Sequence, residues 1–138
     1  MDLKAIQRAL KAARVDGWLL CDFRNRDYLA YRVLGMDVEK LNTRRWYYFI
    51  PAKGEPKKLV SRVERAVLDA LPGKKTVYTA WPELHAGLKT LLGPKKTIAM
   101  QYSPRNGEAT VAETDEILMM HPAKDGSDFF CSTIQRAA

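Results

Sequence analysis

Hydrophobic positions along the chain change period several times, and each change predicts an element. In "DLKAIQRALKAAR" (2–14) Leu3, Ile6, Ala9, Leu10 and Ala13 recur at helical spacing with Asp2 placed to cap, which predicts an amphipathic helix. After the "DG" break at 16 and 17, "WLLCDF" is a short apolar run bounded by turn formers, too short for a helix and suited to a central strand. Asn25 is then placed to cap a helix over "RDYLAYRVL", stopped by Gly35.

The next stretch, "NTRRWYYFIPAKGEPKKLV" (42–60), reads as two extended runs around a Gly54/Pro56 turn, an antiparallel hairpin. Its first run alternates Trp46, Tyr48 and Ile50 against Tyr47 and Phe49, so both faces are apolar, which places it between two layers. "VERAVLDALPG" carries Val63, Val67, Leu68 and Leu71 at helical spacing and predicts a helix. "KKTVYTA" (74–80) predicts a strand, "ELHAGLKTLL" a helix closed by Gly93 and Pro94, and "KKTIAMQY" (95–102) another strand.

Beyond Tyr102 the periodicity weakens. "SPRNGEAT" and "HPAKDGSD" read as loops, "VAETDEILMM" as a short helix, and "FFCSTIQRAA" as a strand turning into a terminal helix. The succession predicts an α/β fold: one mixed sheet of about five to six strands around a central antiparallel hairpin, flanked by helices. With no linker-like stretch, residues 1–138 read as a single domain.

Composition narrows the function classes. The chain has 138 residues, 46% of them hydrophobic and 28% charged, which places it among globular proteins with a core of their own. Its apolar runs fall far short of the roughly 20 residues that span a bilayer, and "MDLKAIQRAL" has no signal-peptide pattern, so a cytoplasmic location without membrane attachment is expected. Cys21 and Cys131 read as small buried hydrophobes. The formal charge of +7 permits polyanion binding without requiring it. Lysine pairs at 57/58, 74/75 and 95/96 read as charges at the starts of strands.

Candidate chemistry is sparse. His85 and Glu83 are two apart and face different sides of a helix, and His121 has no carboxylate three or four positions on, so both histidines read as surface residues. The "ETDE" cluster (113–116) lacks the pattern of a calcium loop and suits a helix start. No phosphate-loop, dinucleotide or nucleophile-elbow motif is present. Arg44, Arg45 and Trp46 remain as candidates for binding an anion or a partner, because a guanidinium grips carboxylate or phosphate bidentately. The alternative is a charge pair that keeps an apolar hairpin soluble. An RNA platform is disfavoured, since its aromatics would share one exposed face.

Three ordered blocks, "DGWLLCDFRNRDYLAYRVLG", "TRRWYYFIPAKGEPKKLV" and "IAMQYSPRN", carry a resemblance over residues 3 to 106. They resemble the N-terminal domain of the creatinase/prolidase/aminopeptidase P family, in particular its bacterial Xaa-Pro aminopeptidase-like members. The resemblance implies a small α/β domain that precedes a larger "pita-bread" metallopeptidase domain. A dinuclear metal, manganese or cobalt, would belong to that second domain, held by two Asp, one His and two Glu.

No cofactor and no catalytic residue is therefore expected in this chain, which would be inactive alone. Its implied role is oligomerisation and control of substrate access, with a second copy or a catalytic domain of the same family as partner. The segment after "YSP" departs from the family pattern in length and character. Two readings from other classes remain: a stand-alone basic module binding anions or nucleic acid, and a scaffold that oligomerises through its hairpin.

Overall fold

A computed structural model of the chain describes residues 1–95, 97–101, 117–122 and 129–134, with backbone alone at 101, 117–122 and 129–134. Helix α1 (Leu3–Ala12) starts where the Asp2 carboxylate accepts the Ala5 N–H at 3.0 Å. Strand β1 (Gly17–Asp22) follows, then α2 (Tyr28–Leu34). Asp27, not Asn25, caps α2, accepting the Ala30 N–H at 2.9 Å. Asn25 instead lies in the left-handed region and bridges two loops. Gly35 ends α2 at φ 66°, a conformation that glycine adopts without steric cost.

The expected hairpin is present as β2 (Trp46–Pro51) and β3 (Lys57–Ser61), antiparallel, with Tyr48 opposite Lys58. Residues 62–71 differ from the helix that their spacing predicts. A single 3-10 turn (Arg62–Glu64) leads into successive tight turns closed by Val67 N–H to Glu64 O, Asp69 N–H to Ala66 O and Leu71 N–H to Leu68 O. All three bonds span three residues, so the segment winds more tightly than an α-helix. Its late carbonyls find a partner in the sheet, because the Lys58 ammonium donates to Leu68 O at 3.0 Å and to Leu71 O. Lys57 and Lys58 begin β3 as the sequence suggests, but Lys58 is buried there.

Strand β4 (Lys74–Tyr78), helix α3 (Trp81–Leu92) and strand β5 (Ile98–Gln101) follow as the periodicity predicts. Strands β6 (Ile117–Pro122) and β7 (Phe129–Ile134) complete the described elements. The helix predicted over "VAETDEILMM" is corrected from Ile117 onward: this apolar run hydrogen-bonds antiparallel to β5, an edge partner that its own sequence does not announce. The predicted strand at "FFCSTI" is found, and the terminal helix lies outside the described residues.

Strands β1 to β5 form one mixed sheet in the order β4-β3-β2-β1-β5, which β6 and β7 extend beyond β5. Because successive side chains point to opposite faces, the β2 alternation sorts into two cores. Trp46, Tyr48 and Ile50 pack with Leu20, Tyr31 and Leu34 under α1 and α2, together with Leu68 from the tight-turn segment. Phe49, with Tyr47 beside it, packs with Leu19, Leu59, Leu84 and Leu91 under α3. Gly87 lets α3 approach closely, since a Cβ there would lie 2.7 Å from Leu59 Cδ1. At the β4 edge, residues 74–77 are exposed, and Lys57 and Lys58 stand opposite Lys74 and Lys75. No described helix is long and apolar enough to cross a membrane.

Candidate functional site

Strands β1, β3, β4 and β5 run in one direction and β2 in the other. The carboxyl ends of β1, β3 and β4 therefore share one rim of the sheet with the start of β2. The chain leaves β3 for the α1/α2 face and leaves β4 for the α3 face. Between these diverging connections lies a cleft of about 420 Å³. Open α/β sheets characteristically bind ligands in such a crevice.

Four separate segments supply its walls: Phe23 and Arg24 after β1, Thr43 to Arg45 before β2, Ser61 and Val63 after β3, and Tyr78 to Trp81 after β4. Arg45 is half-buried, with its Cζ 4.4 Å from the Phe23 ring centroid and 5.3 Å from that of Trp81. Its carbonyl accepts the Tyr78 hydroxyl at 2.7 Å, fixing the β2 start to the β4 end. Arg24 rests on the same Phe23 ring at 4.9 Å.

The nearby carboxylates are engaged elsewhere. Glu64 accepts the Thr43 N–H at 2.8 Å, the Thr43 hydroxyl at 2.6 Å and the Arg44 N–H at 3.0 Å. Burial alone would raise its pKa, but these bonds and the Arg44 charge outweigh it and hold the carboxyl below the usual range. Glu83 accepts the Thr79 N–H at 2.7 Å. Among the described residues the one ion pair joins Lys75 to Asp69, at 2.6 Å, so none of Arg24, Arg44 and Arg45 has a carboxylate at ion-pair distance.

Of the three residues singled out from sequence, the cleft brings together Arg44 and Arg45. Trp46 faces the opposite way, fully buried and edge-to-face with Tyr31 at 5.9 Å, because period-two alternation sends it to the α1/α2 core. It is a core residue and does not line the cleft. Sequence reasoning missed Arg24, Phe23 and Trp81. The only signals were an arginine inside "DFRNRD" and an aromatic ahead of Pro82, and neither points to the other.

Beside the cleft, Asp22 holds the loop after β1. Its carboxylate accepts the N–H groups of Asn25 at 3.0 Å, Arg26 at 2.7 Å and Asp27 at 2.9 Å, together with the Tyr31 hydroxyl at 3.1 Å. Tyr31 in turn accepts from Asn42 Nδ2 at 2.9 Å. Burial pushes the Tyr31 phenol up to about 12, and burial, more than the nearby Asp22 charge, raises Asp27 to about 6. Cys21 is half-buried, and desolvation followed by the charges of Asp27 and Asp22 raises its thiol to about 12, so it stays protonated.

A larger hollow of about 840 Å³ lies between α2 and the tight-turn segment. Apolar residues such as Leu34, Met36, Leu41 and Leu71 line it beside Asp37, Lys40, Asn42, Glu64 and Arg65, of which Asn42 and Glu64 are bonded to neighbouring groups. The hollow's charges are of both signs, whereas those lining the smaller cleft are all positive.

His85 is exposed, its ring 6.1 Å from that of Trp81. The side chains of His121 and Cys131 and the 113–116 cluster lie outside the described residues. Among the described residues no three His, Cys, Asp or Glu side chains come together to hold a metal. What the cleft offers chemically is recognition: cations, aromatic faces and ordered backbone. No protein-family model matches this chain, and no curated protein matches it in sequence.

Proposed function

We propose that the chain serves as a non-catalytic domain of the kind that precedes the catalytic domain in Xaa-Pro aminopeptidase- and prolidase-like metallopeptidases, acting in oligomerisation and in access of substrate to a partner's site. The observation that carries this reading is the contiguity of the three blocks behind the resemblance. "DGWLLCDFRNRDYLAYRVLG" forms β1, its loop and α2, "TRRWYYFIPAKGEPKKLV" forms the β2–β3 hairpin, and "IAMQYSPRN" begins in β5. These strands are neighbours in the sheet, in the order β3-β2-β1-β5.

Substituting this chain for the N-terminal domain of an Xaa-Pro aminopeptidase gives the direct test. The chimera is expected to keep the parent's oligomeric state and to cleave Xaa-Pro peptides with manganese, while the chain alone gives no turnover above a metal-only blank. A chimera that is monomeric and inactive though folded, or turnover by the chain alone, would count against the proposal.

A further inference from the structure

We propose that the cleft at the carboxyl ends of β1, β3 and β4 binds a small phosphomonoester, with Arg24, Arg44 and Arg45 as donors and Trp81 as the wall for the group that carries the phosphate. This assignment does not rest on the metallopeptidase reading.

The first support is positive charge with no carboxylate at ion-pair distance among the described residues. Arg24 and Arg45 rest on one aromatic ring, at 4.9 Å and 4.4 Å, and Arg44 lines the same cleft. Ring faces attract cations but do not neutralise them. The nearby carboxylates Glu64 and Glu83 accept backbone N–H groups, and although the Arg44 charge is felt at Glu64, none of the three arginines has a carboxylate at ion-pair distance among the described residues. Like charges gathered this way repel, and an anion seated among them removes that cost.

A second support is the backbone that presents Arg24. Arg24 and Asn25 sit at φ 60° and 54°, a region unfavourable for residues other than glycine. Three N–H groups following Arg24 are tied to Asp22, which holds the strained loop in place. Strain of this kind gathers at binding sites, where the surrounding structure overdetermines it.

Ligand class follows from valence and shape. A carboxylate offers one negative charge to three guanidiniums, whereas a phosphomonoester carries close to two at neutral pH and has three terminal oxygens for their forked donors. The amino end of helix α3 lines the same cleft, where the Glu83 carboxylate in its first turn is bonded to the Thr79 N–H. Trp81 is 60% exposed at the rim, a flat apolar wall beside the charges. A volume of about 420 Å³ is in the range of small-ligand sites.

The test titrates the purified chain at low salt with a nucleoside 5′-monophosphate, the nucleoside alone, inorganic phosphate and acetate, followed by calorimetry. The monophosphate is expected to bind at least about tenfold more tightly than the nucleoside or acetate, and Arg24→Gln, Arg44→Gln and Arg45→Gln each to weaken it by about tenfold. Trp81→Ala is expected to weaken the monophosphate while leaving inorganic phosphate unchanged.

Arg24 and Arg44 are exposed, so their variants carry the test even if loss of Arg45 perturbs folding. Acetate binding as tightly as the monophosphate would replace the phosphate assignment with a carboxylate one. Binding that survives all three substitutions, or no binding at low salt, would overturn the site. None of these outcomes depends on the chimera experiment.

Discussion

Two polar clusters sit side by side at one rim of the sheet and spend their polarity in opposite ways. Around Asp22, Tyr31 and Asn42 the groups are buried, and donors meet acceptors at 2.7 to 3.1 Å. Around Arg24, Arg44 and Arg45 the charges are partly exposed, with Arg24 and Arg45 over aromatic faces and none of the three in an ion pair among the described residues. The first arrangement specifies a fold, since a satisfied buried network has one geometry. The second contributes little to stability and is suited to recognition. Their proximity is itself informative: the loop tied down by the first cluster is the loop that holds out Arg24.

The sharpest way to break this contrast is Asp22→Ala. It strips the acceptor from three N–H groups and the Tyr31 hydroxyl, and about 3–5 kcal/mol of unfolding free energy should be lost in denaturant titration. A loss below about 1 kcal/mol would mean that water serves the loop equally well.

Next comes the pH dependence of Asp27. Its carboxyl is raised to about 6 from 3.8, so the folded state holds the proton more tightly than the unfolded chain. The stabilisation from this group is full below the unfolded pKa and is lost as pH rises through the folded one, amounting to no more than about 3 kcal/mol. Asp27→Asn keeps a capping oxygen, and unfolding measured from pH 4 to 7 should show a flatter dependence on this account.

Tyr31→Phe should cost about 1–2 kcal/mol, because Asn42 loses an acceptor in the core. Arg24→Gly should have the smallest effect and the opposite sign, a gain of up to about 1 kcal/mol as the φ 60° strain is relieved, together with weaker phosphate binding. Stability falling with Arg24→Gly would show that the recognition cluster also supports the fold.

What the sequence disclosed follows the same division. Period-two alternation at 46–50 assigned each aromatic to its face, since burial on two sides leaves an unambiguous pattern. Helical spacing at 63–71 was real but misled, because the same spacing serves a chain of three-residue turns docked on the same core. Lys58 sits at the start of a strand as its place ahead of an apolar run suggests, but nothing local shows that its ammonium reaches the carbonyls of residues 68 and 71. The cleft was the least legible feature. Its walls come from four segments spread between residues 23 and 84, so only the sheet order brings Arg24 to Arg45 and Arg45 to Trp81.

The lysine ladder at the β4 edge bears on how this protein keeps company with itself. An unpaired strand edge invites another chain to add to it, and a run of charge is one of the ordinary defences. Here Lys74 and Lys75 stand exposed on the edge with Lys57 and Lys58 directly behind them. A chain docking there would meet Lys74 and Lys75 first, while the buried Lys58 turns its ammonium into the carbonyls of residues 68 and 71. That edge is therefore a poor template for a strand of another chain.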